Sequence, residues 1–400
     1  MPSNPFTSPT ISGYNTSPPS DDGSQTSANR VEWAKHKTKL SDPVKTLAEA
    51  GVSASNTAFA TVAGWLDGTF AHNFVTNGDF RVAQRGTTFT SASSPANSDD
   101  TYLLDRWILL SNGNDTVDVS QETSTVPTGS HAAIKLDVET ANRKFGIIQI
   151  IEARDAKRLA GQTVSLSFKA RITGTSITKL RAAVLSWVST EDSVTSDVVS
   201  AWNDEDTNPT LVSNWTAENT AVDLTAPTTS YQTYEVESIN VDSSSIGNVA
   251  IFIWCNNTDA TVGDFLYITD VMLHIGADAL SFQPRPYAEE LVLCRRRFRG
   301  IIGIAAVPAI AAGVSRTTTI ADFAYPLNPP MAAAPTLAVS DVSHFVVVQQ
   351  NTTIATTNLT ISSGADAVEF VATVSAGLTA GEGNLLRVND TRSLFLDAEL

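Results

Sequence analysis

The stretch WNDEDTN, from Trp202 to Asn208, sets three acids side by side, Asp204, Glu205 and Asp206. Two carboxylates can share acid and base work, but only when held about 5–10 Å apart across a cleft. Adjacent acids in so polar a run read instead as an exposed acidic loop. Histidine, the other side chain suited to proton transfer near neutral pH, occurs five times and always singly. His274 sits in an apolar strand pattern and reads as packed. His36 lies among lysines and reads as exposed. No GxSxG, HExxH or phosphate-binding glycine loop occurs, so neither an activated serine, a zinc pair nor a nucleotide cradle is spelled out. Cys255 and Cys294 lack CxxC or histidine spacing and read as two reduced thiols, not a zinc knuckle or a disulfide framework. The chain therefore reads as non-enzymatic and without a cofactor.

Composition bounds what can position any site. Apolar residues make up 42% and aromatic residues 8%, and mean hydropathy is near zero, as in folded soluble chains. With 400 residues, the chain exceeds the roughly 250–300 that one core serves, so two or three domains are expected. A formal charge of −16 excludes a general nucleic-acid binder, which needs a basic face to release phosphate counterions. Acidic surfaces mainly maintain solubility. The start, MPSNPFTSPT, has no basic stretch followed by an apolar core, and no run of about 18 apolar residues occurs. Synthesis and solubility in a cytoplasm are expected.

Three regions follow along the chain. Residues 1–72 open with a Pro-, Ser- and Thr-dense arm that cannot bury enough surface to offset ordering entropy. Its isolated large groups, Phe6, Ile11 and Tyr14, suit an extended strap across another protein's surface. RVEWAKHKTKLSDPVKTLAEA is rich in helix formers, and Asp42 before Pro43 is a helix start, so two short helices meet there, the first with a basic face of Lys35, Lys37 and Lys39. Ala48, Val52, Ser55, Phe59, Val62 and Leu66 follow the spacing of a coiled-coil seam. That trace supports a short oligomeric stalk, with a plain linker as the alternative because Gly51 and Ser55 to Thr57 are poor helix formers.

From residue 73 the period becomes two. NFVTNGDFRVAQRGTTFTS reads as a hairpin about an Asn-Gly turn. In TVSLSFKARI, Val164, Leu166, Phe168, Ala170 and Ile172 alternate with Thr163, Ser165, Ser167, Lys169 and Arg171, predicting a strand wet on one face. VAIFIWCN is apolar without a break, predicting a strand buried on both faces. With DRWILL, TVDVS, FGIIQIIE, KLRAAVLSWVS and GDFLYITDVMLHI, residues 73–286 read as a jelly-roll β-sandwich. Residues 287–400 read as a linker helix, about Ala288 to Arg297, and a smaller C-terminal β-sandwich. In the helix Leu291 and Cys294 are expected to face one way and Glu289, Glu290, Arg296 and Arg297 the others. The arginine block reads as a solvated or interface-pairing face. The whole chain is expected to be mainly β behind an extended and helical N-terminal anchor.

NGDFRVAQRGTTF, YLLDRWIL, FQPRPYAEELVLCRRRF and a segment ending DTRSLFLDAEL occur in that order, and together they resemble the fibre or spike proteins of tailed bacteriophages. The preamble resembles the virion-attachment segment of short-tailed phage fibres. No long repetitive shaft and no depolymerase insert follows, which favours a short tail fibre, head fibre or spike. The resemblance implies a virion protein, made in the bacterial host cytoplasm, whose residues 1–50 dock onto capsid, portal-adaptor or tail proteins. Phe6, Tyr14, Trp33, His36 and Leu40 would anchor it. It further implies a homotrimer, which the heptad trace permits, and receptor binding through a jelly roll resembling carbohydrate-binding modules. Trp187, Trp202, Trp215 and Tyr231 would then offer aromatic platforms to host-surface polysaccharide, with Trp202 and Trp215 favoured by their polar segment. Trp107 and Trp254 read as core. Jelly rolls of this type often hold a structural calcium, for which Asp79, Asp264 and Asp270 would supply oxygens, although aspartates beside glycine more often make turns. A purely structural decoration or adaptor role without glycan binding is the alternative.

Overall fold

Unbroken runs of β-branched and aromatic residues, interrupted by Ser, Asn and Gly, form strands and little else: the chain is mainly β. The computed structural model describes residues 72–302, 309–339, 341–388 and 393–400, which belong to one unit. The anchor residues Phe6, Tyr14, Trp33, His36 and Leu40 and the heptad trace lie outside the described residues.

Two antiparallel six-stranded sheets make the sandwich. The first runs β1 (Thr88–Phe89), β4 (Val117–Glu122), β5 (Ala133–Val138), β14 (Phe265–Ile275), β7 (Thr163–Thr173), β12 (Gln232–Asn240). The second runs β11 (Trp215–Ala217), β8 (Leu180–Trp187), β13 (Asn248–Cys255), β6 (Phe145–Ile151), β3 (Ile108–Ser111), β2 (Thr101–Tyr102). Between them lies a core that includes Leu136, Ile147, Leu166, Phe168, Val184, Ile251, Ile253 and Leu273. Each such side chain contributes about 1.5–3 kcal/mol by leaving water. β13 is buried along its whole length, as its sequence predicts. Its outer residues Ala250, Phe252 and Trp254 join a second apolar cluster under the chain excursion from 188 to 231, which carries β9 (Val199–Ala201) and β10 (Thr210–Leu211). In β7 the apolar set is buried as expected. Ser165 and Ser167, expected to be wet, are buried as well, because the chain after β14 crosses them and accepts their hydroxyls at Ala277 and Leu280.

The expected hairpin at residues 73–91 does not form. Only β1 is a strand there, and the side chains of Asn73 and Asn77 hold the rest in an irregular path along β14. Asn77, at φ 56°, accepts from the Val82 amide and donates to the carbonyls of Val82 and Asp105. The Asn-Gly pair does turn the chain, but toward side-chain partners instead of a second strand. Gly78 follows because its carbonyl accepts from the Val271 amide at 2.9 Å, and a Cβ would fall 2.2 Å from the Val271 oxygen.

Helix α1 (Tyr287–Arg295) buries Glu290 and Cys294, not Leu291 and Cys294, which corrects the expected face. Positions four apart share a helix face, and Glu290 is drawn inward because it accepts from the Asn77 amide at 2.5 Å and pairs with Arg285. The C-terminal strands form a closed barrel instead of a second sandwich. β16 (Ala309–Ser315), β17 (Ile320–Pro326), β21 (Ala367–Val374), β20 (Thr352–Ser363), β19 (Phe345–Gln349) and β22 (Gly383–Val388) follow one another around it. Closure leaves no unpaired edge, and Phe323, Phe345, Phe370 and Leu386 fill the interior. Beside it β23 (Ser393–Asp397) lies between β15 (Phe298–Ile302) and β18 (Thr336–Val339).

The four recurring sequence motifs converge at the seam between sandwich and C-terminal part. The Gln84 amide donates to Asp105 at 2.6 Å and to the Phe298 carbonyl at 2.8 Å. Trp107 donates to the Asn77 carbonyl at 2.9 Å. Glu399, from the last residues of the sequence, pairs with Arg106 and, at 3.2 Å, with Arg85. Arg297 pairs with Glu152 at 3.0 Å and donates to the Ala398 carbonyl. The arginine block thus pairs across the seam. Burial of these charges is tolerable because each has a partner.

Candidate functional site

Strand register places one row of large polar groups on the outer face of the first sheet. Lys135 of β5 opposes Tyr267 of β14, and Tyr267 opposes Arg171 of β7. Directly opposed residues share a face. Their chain neighbours Leu136, Leu266 and Ile172 point the other way, into the core. Tyr231, at the entry to β12, extends the row: the Arg171 guanidinium lies 4.0 Å from the Tyr267 ring centre and 5.4 Å from that of Tyr231. The Lys135 ammonium lies 4.0 Å from the Phe265 ring and 3.2 Å from Asp137. Such cation–ring contacts are worth roughly 0.5–2 kcal/mol each and hold the side chains flat. The Tyr231 hydroxyl donates to the Thr125 carbonyl at 3.1 Å, while Arg171 Nε has no partner.

Two carboxylates on this face are shifted in opposite directions. At Glu122 burial would raise the pKa, but amide hydrogen bonds from Thr125 and Ser124 and the nearby Arg171 outweigh it and hold the carboxyl below its usual range. Asp118 behaves oppositely: burial, with Glu139, Asp115 and Asp137 adding repulsion, pushes it up to about 6. Flat rings and a planar guanidinium can cover the C–H face of a sugar ring, while Asp137, Glu122 and the lysine supply acceptors and donors at its hydroxyls.

The aromatic residues expected from the sequence do not form one platform. Tyr231 is half-buried on the first sheet. Trp187 and Trp215 pack together at 5.4 Å on the outer side of the second sheet, and Trp202 stands edge-on to Phe252 there at 6.0 Å. Trp215 is buried in that apolar cluster, so its polar neighbours in sequence mislead. The cavity over Phe252 and Trp254 is about 40 Å³, room for water and not for a sugar. Trp107 and Trp254 are core residues, as read.

The acidic loop is a clamp. Glu205 and Asp206 pair with Lys179 at 2.5 and 2.7 Å, and the Asp204 carbonyl accepts from buried Lys144. Hydrogen bonds from Lys179, and after it Thr258, hold Glu205 at about 2, so it stays ionised. The three aspartates considered for calcium are not gathered. Asp79 pairs with Arg81, Asp264 accepts from Thr261 and Ser176, and Asp270 pairs with Lys169. Among the described residues no three carboxylate, histidine or cysteine side chains cluster as metal ligands. His274 is buried. Cys255 and Cys294 are free and buried, and burial pushes the Cys255 thiol up to about 12.

Sequence reasoning did not single out Tyr267, Phe265 or Lys135, and named Arg171 only as a wet position. Strand parity held the signal: counting outward from Leu266 and Leu136 puts all of them on the outer face, where Tyr267 is nonetheless buried.

No protein-family model matches the chain, and no curated protein does. Among solved structures it is similar to the enzymatically active domain of tailspike protein 4 of bacteriophage CBA120, at 14% identity over 51% of this chain and 21% of that one, with a TM-score of 0.30. It is similar also to a CBM4 structure, at 15% identity over 50% of this chain and 99% of that one, with a TM-score of 0.28. A family 22 carbohydrate-binding module of Clostridium thermocellum Xyn10B matches at 12% identity over 46% of this chain and 93% of that one, with a TM-score of 0.29. Likeness at this level carries no site from one protein to the other.

Proposed function

We propose that the sandwich is a glycan-attachment module, and that the chain is the displayed subunit of a short virion fibre or spike. The observation that carries the first half is the row of half-buried Lys135, Arg171 and Tyr231 over the buried ring of Tyr267 on the outer face of the first sheet, with the carboxylates of Glu122 and Asp137 beside it. The second half rests on the four motifs that resemble phage fibre proteins and on the composition of residues 1–72, in which Phe6, Tyr14, Trp33, His36 and Leu40 would dock onto the particle and fold on contact. In this reading the subunit is trimeric, acts on the outside of a particle and performs no catalysis.

The test is retention of the full chain on immobilised host polysaccharide, compared with Arg171→Ala and Tyr231→Ala. Wild type is expected to be retained and each variant to bind roughly ten-fold more weakly, the scale of one lost ring or cation contact. Absence of retention on polysaccharide from any host strain would leave only the structural, decoration role. Release of reducing ends from the polysaccharide would show instead a depolymerase.

A further inference from the structure

Five arginines among the described residues are buried: Arg85, Arg106, Arg181, Arg297 and Arg299. Four have a carboxylate partner, in Glu399 for Arg85 and Arg106, Asp223 for Arg181 and Glu152 for Arg297. Arg299, only 6% exposed, has none among the described residues. Its Nη2 donates to the Pro329 carbonyl at 2.7 Å, and its Nε has no partner. A buried cation without a counter-charge is costly, and a fold that keeps one leaves room for an anion from outside.

That room is present. Arg299 on β15 and Arg295 at the end of α1 line a cavity of about 600 Å³ together with Ile301, Ile310, Tyr325 and Asn328, and among the described residues no Asp or Glu lines it. Arg295 also has an unpartnered Nε. Burial lowers the pKa of Arg299 against the opposing charge and hydrogen-bond effects of Tyr325, and Arg295 adds a smaller lowering. In a chain of formal charge −16 this is a local positive well, with apolar walls that a bare inorganic ion would not use. The volume matches that of small-molecule sites.

We propose that this cavity binds a sugar acid of the uronic type, its carboxylate held by Arg299 and Arg295 and its ring lying against Ile301 and Ile310. Two guanidinium groups suit a carboxylate because their planar forks can donate paired hydrogen bonds. The site is separate from the outer face of the first sheet and rests on the cavity alone.

Calorimetric titration of the full chain with glucuronate, glucose and inorganic phosphate tests it, alongside thermal melts. Glucuronate is expected to bind saturably and glucose not to bind. Arg299→Gln and Arg295→Gln should each weaken glucuronate at least ten-fold, and the ligand-free melting temperature of Arg299→Gln should not fall, because the charge removed has no carboxylate partner among the described residues and glutamine can still donate to the Pro329 carbonyl. Arg316→Gln, at an exposed arginine paired with Asp322 and outside both sites, should bind glucuronate as wild type does. The proposal is overturned if glucose binds as well as glucuronate, if phosphate binds as tightly, or if Arg299→Gln leaves affinity unchanged. A drop in the ligand-free melting temperature of Arg299→Gln would make the arginine a prop for the Pro329 loop, and loss of binding in Arg316→Gln would show attraction to positive charge at large instead of a site; either result also defeats it.

Discussion

Gly78 shows how little freedom single positions have. A methyl group there would meet the Val271 carbonyl at 2.2 Å, and the obstacle is backbone, which cannot rotate away. Gly78→Ala is expected to cost about 1–3 kcal/mol or more, read as a lower denaturant midpoint at unchanged slope; an unchanged midpoint would show that β14 can yield. Asp100 gives a pH dependence. Burial raises its carboxyl to about 7, with Asp99 and Asp197 adding repulsion, from an unfolded value of 3.8. The folded protein therefore holds this proton more tightly than the unfolded chain, so the contribution to stability is present below 3.8 and is lost as pH rises through about 7. Asp100→Asn should raise the melting temperature at pH 8 and leave it nearly unchanged at pH 3; equal effects at both would count against the raised pKa.

Elements were legible where one force set them. β13 and the apolar set of β7 follow from hydrophobic pattern alone, since water is the only competitor there. The segment around Asn77 was misread because asparagine offers the backbone a side-chain partner, and Asp105, which completes that partnership, lies distant in sequence. Trp215 was misplaced for a related reason: the polar residues around it are spent tying the 188–231 excursion to Lys144, Lys179 and Arg181, so polarity marked a clamp and not a wet surface. Strand parity carried the outer row, yet which of two wet faces stays open depends on where that excursion folds back. The stretch Ala398 to Leu400 is also an element in its own right, reaching Arg297, Arg106 and the Tyr102 hydroxyl. Glu399→Gln strips Arg106 and Arg85 of their shared charge and is expected to cost about 3–5 kcal/mol, measured by chemical denaturation; a loss under 1 kcal/mol would mean that Asp397, 3.4 Å from Arg85, and the Ile150 carbonyl, which accepts from Arg106, suffice.

At the scale of the whole molecule, sandwich and barrel each hold a separate apolar interior, while side chains of the four motifs are spent on joining them. Their chemistry is that of packing one part of the chain against another, so they reveal no binding site. The proposed anchor has its own test: removing residues 1–40 should leave folded, soluble protein that no longer joins particles, and normal incorporation would refute it. The Glu399 pairing has a temporal side. Arg106 waits for a partner 293 positions downstream, and at about 5–20 residues per second of synthesis the sandwich emerges from the ribosome well before its counter-ion exists. A chain that stopped short of Glu399 would leave the Arg106 guanidinium inside the fold without that carboxylate, so the charge balance of the sandwich waits on a segment made long after it.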